Sequence, residues 1–297
     1  MRPPMGAPIL AAYDFGGGRE GNVNIGAVNK GPMLPAGLTV HNPVPTWGGD
    51  EAETPREAEK GIMKYLQHRD RLVTADDFED IVRRTQGVDI GRVEVLPLFN
   101  PDLPDGKSPG VVTVLVIPRY DVVHPEAPRP DTRMLDLICS YLEPRRLVST
   151  EVYVHGPQYI PVVISVGIQV VAGLDFPPVR EAVNKALKKF LSPLQGGRQQ
   201  TGWPLEKVVM AQELWAEAAR VAGVAYVTRL LLGDQDGRPL EEIKMQGLQL
   251  PQLVKVDTRL GEPEDLDSLV RGGTGTVQPD GTPIAPIIPI PIVPPEC

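Results

Sequence analysis

The chain has 297 residues, of which 41% are hydrophobic and 23% charged, a length and composition that suit about two folded domains. Its formal net charge of −8 argues against a nucleic-acid-binding protein, because an acidic surface repels phosphate groups. The longest apolar stretch, residues 159–172, contains Pro161 and Gly167 and is shorter than the roughly 20 residues that a membrane-spanning helix requires. We therefore expect neither nucleic-acid binding nor direct membrane insertion.

Residues 1–50 are predicted to form an extended N-terminal arm. Three consecutive glycines at 16–18 and four closely spaced prolines at 32, 35, 43 and 45 leave no room for a helix or a long strand. The arm carries several apolar side chains without a core of its own. We expect it to become ordered by packing against its own domains or against a neighbouring chain.

Residues 51–125 are predicted to form a first α+β domain. Thr54 precedes Pro55 and stands three residues before Glu57, a pattern typical of a helix start, and this helix is expected to run to about Arg69. A second helix is predicted to begin after Thr74 in the same way. Two strands, at roughly 92–98 and 111–118, follow and are separated by a polar loop.

Residues 126–235 are predicted to form a second α+β domain. Asp131 opens a helix with one apolar face, and a short strand around Val152 and Val154 follows it. Apolar residues on alternate positions over 160–170 predict a strand with one fully apolar face. A helix from Asp175 is expected to cover this strand, followed by a helix over 205–222 and a strand over 225–232.

The remaining residues are predicted to be extended. Residues 236–271 are expected to contain short extended elements, and residues 272–297 form a tail in which prolines alternate with isoleucine and valine. Such a tail favours the polyproline II conformation and cannot form a helix.

A recurring pattern supports the division into two domains. A helical segment leads into a Gly-Val turn and then into a strand at Gly87-Val88 and again at Gly223-Val224. The predicted fold class is therefore α+β, with two small domains that resemble α/β sandwiches. Their helices lie on mostly antiparallel sheets, and extended N- and C-terminal arms flank them.

Residues for catalysis or cofactor binding do not cluster in the sequence. Residues 16–21 match the G-x-G-x-x-G pattern, but no helix follows to present its N-terminus to a pyrophosphate. The histidines at 41, 68, 124 and 155 lack the spacing of a metal site. No nucleophile motif is present. We therefore predict no catalytic, cofactor-binding or metal-binding residues, no cofactor, and a protein that is not an enzyme.

The candidate functional residues are instead partner contacts. Trp203 lies in a turn between glycine and proline, where an aromatic ring either anchors an interface or covers the domain's own core, and both readings stay open. The other candidates lie in the two arms. The predicted interface residues are Tyr13, Phe15, Arg19, Asn22, Val23, Trp203, Ile287 and Ile290.

Several segments together resemble one known family. The first is the stretch from Gly49 to Ala58, followed by the string from Tyr65 to Phe78 that contains Arg-Asp-Arg-Leu-Val-Thr-Ala-Asp-Asp-Phe. The others are the Gly-rich residues 16–23, Gly87-Val88, Arg92-Val93, residues 145–147, residues 154–159 and Gly202-Trp203-Pro204. Over residues 10–235 the chain resembles the baseplate J-like family, the wedge proteins of contractile phage tails and contractile injection systems.

The resemblance implies a non-catalytic building block made in a bacterial cytoplasm and incorporated into the baseplate of a phage-tail-like particle. Its partners would be other wedge subunits, as a homo- or heterodimer within a sixfold ring, together with hub or spike proteins and sheath-proximal proteins. Two alternatives are a hydrolase of cell-wall polymers and a glycan-binding module at the particle tip. The first would require paired carboxylates or a metal cluster, and the second an exposed aromatic platform.

Overall fold

The computed structural model describes residues 6, 8, 10, 17–31, 34, 35, 37–43, 45, 46, 49, 51, 54–103, 106–121 and 123–271. The chain divides into two compact units, Met1–Gln67 and His68–Cys297. In the first unit, the described residues before Thr54 contain one 3₁₀ turn, Gly18–Gly21, and no strand. Helix α1, Pro55–His68, then spans the boundary between the units.

Both predicted helix starts are confirmed. The Thr54 backbone N–H donates a hydrogen bond to the Glu57 carboxylate at 2.9 Å, and this contact caps the start of α1. Helix α2, Ala75–Arg83, begins with a full capping box in which Thr74 and Asp77 each bond the other's backbone N–H. The Phe78, Ile81 and Val82 side chains of α2 are buried, so this helix is an integral part of a core.

The first sheet has the order β1-β2-β3, formed by β1, Ile90–Phe99, β2, Lys107–Pro118, and β3, Glu151–His155. Strands β1 and β2 pair antiparallel, whereas β3 pairs parallel to β2. The connection between β2 and β3 contains helix α3, Thr132–Leu142. A parallel neighbour requires such a long crossover, which explains why α3 lies between these strands.

This arrangement corrects one part of the sequence prediction. The helix from Asp131 and the strand around Val152 were assigned to the second domain. Instead, Met134, Ile138 and Leu142 of α3 pack with α2 and β3 in the first core. The reason is that β3 pairs with β2, on the side of β2 opposite to β1, and so becomes the third strand of the first sheet.

The remaining elements build the second sheet and its helices. In chain order they are β4, Gln158–Val170; α4, Phe176–Leu191; β5, Val209–Met210; α5, Ala211–Ala219; β6, Val224–Gly233; β7, Pro239–Leu240; β8, Glu242–Ile243; β9, Gln249–Leu260; and α6, Leu266–Arg271. The sheet order is β7-β6-β4-β9, and α4 packs against β9 and α5.

Two predictions for this region are wrong in detail. Residues 236–271 are predicted to contain short extended elements, but β9 is a 12-residue strand parallel to the central strand β4. The helix predicted from 205 begins at Ala211, because Val209 and Met210 pair with β8 as strand β5.

The fold class is confirmed as α+β, with two α/β cores. Strand β2 takes part in both of them. Val114 and Val116 face the first core, whereas Ile117 packs in the second core. Of the six strand pairs within the described residues, four are antiparallel and two are parallel. Among the helices described, none is both long and apolar enough to cross a bilayer.

Candidate interface surfaces

The described part of the N-terminal arm folds back on itself through side-chain hydrogen bonds. Asn22 donates to the Gly49 carbonyl at 2.7 Å and accepts from the Gly49 N–H at 2.9 Å. Thr46 Oγ1 accepts from the Val23 N–H at 2.7 Å, and the Thr46 N–H donates to the Val23 carbonyl at 2.9 Å. Asn42 accepts from the Val28 N–H at 2.9 Å. Asn22 and Val23, two predicted interface residues, thus order the arm internally.

The other predicted contact residues of the arm and the tail lie outside the described part of the chain, either wholly or in their side chains. Tyr13, Phe15, Ile287 and Ile290 lie outside the described residues. Arg19 lies in the 3₁₀ turn Gly18–Gly21, but its side chain is also outside the described part of the chain. Their role as partner contacts therefore remains a prediction.

Trp203 lies inside the second core, with none of its surface exposed. Its ring meets the Phe190 ring edge-on, with centroids 5.5 Å apart, and its Nε1 donates to the Lys207 carbonyl at 3.2 Å. The Lys207 ammonium lies 4.4 Å from the centre of the indole ring. The structure therefore favours the second of the two readings, in which Trp203 covers the core of its own domain.

Arg92 joins the first sheet to the loop that holds Trp203. Its NH1 donates to the carbonyl oxygens of Pro193 and Trp203, at 2.8 and 2.7 Å, and its Nε and NH2 donate to Glu94 at 2.9 and 2.8 Å. The Arg92 side chain is only 8% exposed. The bonds to Pro193 and Trp203 link residues more than 100 positions apart, so they join the first sheet to the loop that follows α4.

A polar network holds the start of the second unit. His68 Nδ1 accepts from the Asp70 N–H at 2.9 Å, and His68 Nε2 lies 3.3 Å from the Asp80 carboxylate. Arg145 Nε donates to the Asp70 carboxylate at 3.0 Å, which connects the start of the second unit to the segment after α3. Arg84 NH2 also lies 3.2 Å from His68 Nε2. His68 and Asp70, two polar residues of the Tyr65–Phe78 string, therefore make contacts that hold the fold.

A strained β-bulge lies on β1, which is an edge strand of its sheet. The pairing of β1 with β2 shifts register between Pro97 and Phe99, and the intervening Leu98 has φ +59°. This left-handed conformation is unfavourable for a leucine. The bulge turns Leu98 outward, where its side chain is 60% exposed. Strain of this kind is often retained where a surface has a function.

A groove of about 1170 Å³ lies beside this bulge, and we call it the β1 groove. Its lining is mostly apolar and includes Val95, Leu96, Leu98, Phe99, Leu205 and Leu248. The Phe99 ring lies close to the backbone of Gly106 and Gly247, where an added Cβ would meet its ring atoms. Side chains at either glycine would therefore displace the ring that lines the groove. No local sequence pattern marks this surface, because its lining residues come from separate parts of the chain.

A second exposed apolar surface lies on α1. Ile62, Met63, Tyr65 and Leu66 are all at least half exposed, and residues three or four apart share one face of the helix. The apolar residues Ile62, Tyr65 and Leu66 therefore form an apolar stripe on the surface of the helix. Such a stripe is typical of a helix that docks onto a partner.

The titratable groups with shifted pKa values serve structural roles. Burial raises the pKa of Asp121, whereas hydrogen bonds from the backbone N–H groups of Arg129, His124 and Val123 lower it. The net shift of this pKa is downward. Burial raises the pKa of Tyr159, whose hydroxyl donates to the Pro128 carbonyl at 2.9 Å. Burial lowers the pKa of His155. Within the part of the chain that the structure describes, no group of three His, Cys, Asp or Glu side chains could hold a metal ion.

Comparison with known proteins finds a likeness in structure. No protein-family model and no curated protein sequence matches the chain. A chain of the anti-feeding prophage baseplate, determined by cryo-EM with sixfold symmetrisation, is similar in structure, with a TM-score of 0.50 and 19% sequence identity. The likeness covers 78% of this chain and 48% of that chain, so the present chain spans about half the length of the structure it matches. At this identity the likeness shows a shared fold.

Proposed function

We propose that this chain is a structural component of the baseplate of a contractile injection system or phage-tail-like particle. The observation that carries the proposal is the fold shared with a chain of the anti-feeding prophage baseplate over 78% of the present chain. The sequence resemblance to the baseplate J-like family was found independently, from motifs such as residues 69–78. Two separate signals therefore support the same class of particle.

More specifically, we propose a wedge protein of the baseplate J-like family. It would assemble into a sixfold ring around the hub or spike and connect that ring to the sheath. The sixfold symmetrisation of the similar baseplate structure supports a ring of repeated subunits. We propose that the protein is made in a bacterial cytoplasm before incorporation into the particle.

The internal construction suits a subunit that transmits force. Arg92 joins the two cores through two carbonyl groups, and the Arg145–Asp70 bond joins the start of the second unit to the segment after α3. Charged groups with several buried hydrogen bonds of this kind hold a fixed geometry. A subunit that couples target contact to sheath contraction requires such rigidity within itself.

Partner contacts would then lie on the surfaces left exposed. We propose that the apolar stripe of α1 docks onto another wedge subunit, because a helix with an unburied apolar face gains stability when it is covered. The arm residues Tyr13, Phe15, Arg19, Asn22 and Val23 remain candidates for contacts with neighbouring subunits. Hub, spike or sheath-proximal proteins are the other proposed partners.

We propose that the chain is not an enzyme, although one feature favours the hydrolase alternative. Two carboxylates, Glu94 and Glu206, both line the β1 groove. However, Glu94 accepts two hydrogen bonds from Arg92, at 2.8 and 2.9 Å, and is engaged in holding that side chain. Neither His124 nor His155 lines this groove. Release of soluble sugars or peptides from purified cell wall by the isolated protein would favour the hydrolase.

The proposal is tested by deletion of the encoding gene and negative-stain imaging of the particles that remain. We expect particles without complete end-plates, and restoration of the end-plates when the wild-type chain is supplied from a plasmid. Sheathed tubes with complete end-plates in the deletion strain would overturn the baseplate assignment.

A further inference from the structure

The β1 groove is an apolar surface for which this chain itself carries a matching segment. Residues 283–295 contain no charged side chain, and six prolines alternate there with five isoleucines and one valine. Prolines lack the N–H group needed to add a regular strand to a sheet edge. Proline-rich segments dock instead in the polyproline II conformation, in grooves lined by apolar and aromatic side chains. The Phe99 ring and its leucine neighbours form a lining of this type.

The last described helix, α6, ends at a distance from the groove that the following residues can span. The Lys255 ammonium donates to the carbonyl oxygens of Leu269 and Val270, at 3.2 and 3.1 Å, so the end of α6 lies beside Lys255. Leu248, which lines the groove, precedes Lys255 by seven residues. At about 3.3 Å per residue, β9 spans roughly 23 Å over that interval.

The intervening sequence is long enough to reach. Residues 272–282 form a spacer of 11 residues, four of them glycine, between α6 and the apolar segment. Fully extended, such a spacer covers about 36–40 Å. This exceeds the interval between the end of α6 and the groove. A segment tethered this closely to its site has an effective concentration in the millimolar range, far above that of the same segment on another molecule.

We infer that the β1 groove is the docking site of this chain's own C-terminal segment, residues 283–295. The segment covers the exposed Leu98 and Leu103 side chains with isoleucine and proline. The docking stabilises the bulge conformation at Leu98, where a leucine holds φ +59°. The inference concerns the isolated chain and does not depend on the proposed function.

The test uses the full-length protein with the photo-crosslinker p-benzoylphenylalanine at Ile290. After irradiation, we expect a crosslink within one polypeptide, to peptides that contain residues 94–103 or 245–248, at the monomer position on a denaturing gel. Leu98→Asp should lower the crosslink yield about tenfold or more, because loss of one buried leucine contact costs more than the 1.4 kcal/mol that corresponds to a factor of ten. Leu103→Asp serves as a second groove variant with the same expectation.

Leu174→Asp is the matched control, since Leu174 is 54% exposed and does not line the groove. We expect it to leave the yield unchanged. Crosslinks between two chains would overturn the inference in favour of a second copy as the occupant. Crosslinks elsewhere on the surface, or a yield that neither groove variant lowers, would also overturn it.

Discussion

Arg92 is the residue on which the relation between the two sheets depends most directly. Its guanidinium satisfies two backbone carbonyls of the 193–203 loop while its other side is held by Glu94. In the sequence, Arg92-Val93 stands out only as part of a motif. A charged residue in a strand carries no signal for a carbonyl partner about 100 residues away, so this contact could not be predicted.

Replacement of Arg92 with glutamine should destabilise the protein by about 2–3 kcal/mol, because a charged donor is lost and two buried carbonyls lose a partner. Arg119→Gln is the control, because that side chain is 70% exposed and pairs with Asp89 at the surface. An exposed pair contributes at most about 1 kcal/mol. Urea denaturation followed by far-UV circular dichroism measures both. Equal effects of the two substitutions would contradict the proposed role of Arg92.

The strained backbone at Leu98 leads us to expect a substitution there that does not destabilise the folded protein. Glycine adopts positive φ freely, so in a chain truncated after Arg271, where residues 283–295 cannot cover the Leu98 side chain, Leu98→Gly should leave the free energy of unfolding unchanged or raise it by up to about 1 kcal/mol. Leu260→Gly, at a residue 57% exposed on β9 without a positive φ, should lower it by about 0.5–1 kcal/mol. Thermal denaturation compares them. A larger loss for Leu98→Gly than for Leu260→Gly would rule out strain at the bulge.

Local sequence patterns predict the helices and strands correctly, but they do not predict which strands pair with each other. Capping residues, alternation along β4 and the apolar face of α3 are properties of neighbouring residues, and the structure confirms them. The parallel partners β3 and β9 were misjudged because nothing local states which sheet a strand joins. Strand β9 also lacks clear alternation, since it lies at a sheet edge and most of its side chains are partly exposed.

The two capping boxes should differ in their effect on stability. Thr74→Ala should lower the free energy of unfolding by about 1 kcal/mol, because the buried helix α2 loses its cap. Thr54→Ala should reduce helicity locally in α1, whose side chains are largely exposed up to His68, with no shift of the main denaturation midpoint. Urea titrations with matched circular dichroism baselines test this. A midpoint shift of the same size in both variants would refute it.

The loop that begins at Asp121 should contribute stability that depends on pH. The pKa of Asp121 is lower in the folded state than in the unfolded state, so its contribution is full above about pH 3.9 and is lost as the pH falls through the lowered pKa. Asp121→Asn should therefore reduce stability by about 1–2 kcal/mol at pH 7. The difference from wild type should vanish in acid. Denaturation midpoints from pH 2 to pH 7 measure this, and a constant difference would contradict it.

For the whole molecule, the sequence indicated the class of architecture and the absence of an obvious catalytic motif, but not the surfaces that matter. Trp203 was an ambiguous candidate because an aromatic ring in a turn is equally common in cores and at interfaces. The β1 groove is assembled from β1, the 205–206 turn and residues 245–248, which are separated by up to about 150 positions. Concave surfaces of this kind emerge only when the sheets are placed together.

The most direct test of the account is a cryo-EM reconstruction of purified particles that contain this chain. The account predicts density for the two α/β cores of His68–Cys297 at the end-plate, repeated as a ring around the tube axis, with the apolar stripe of α1 covered by a neighbouring subunit. End-plate density that excludes this fold, in particles otherwise complete, would contradict it.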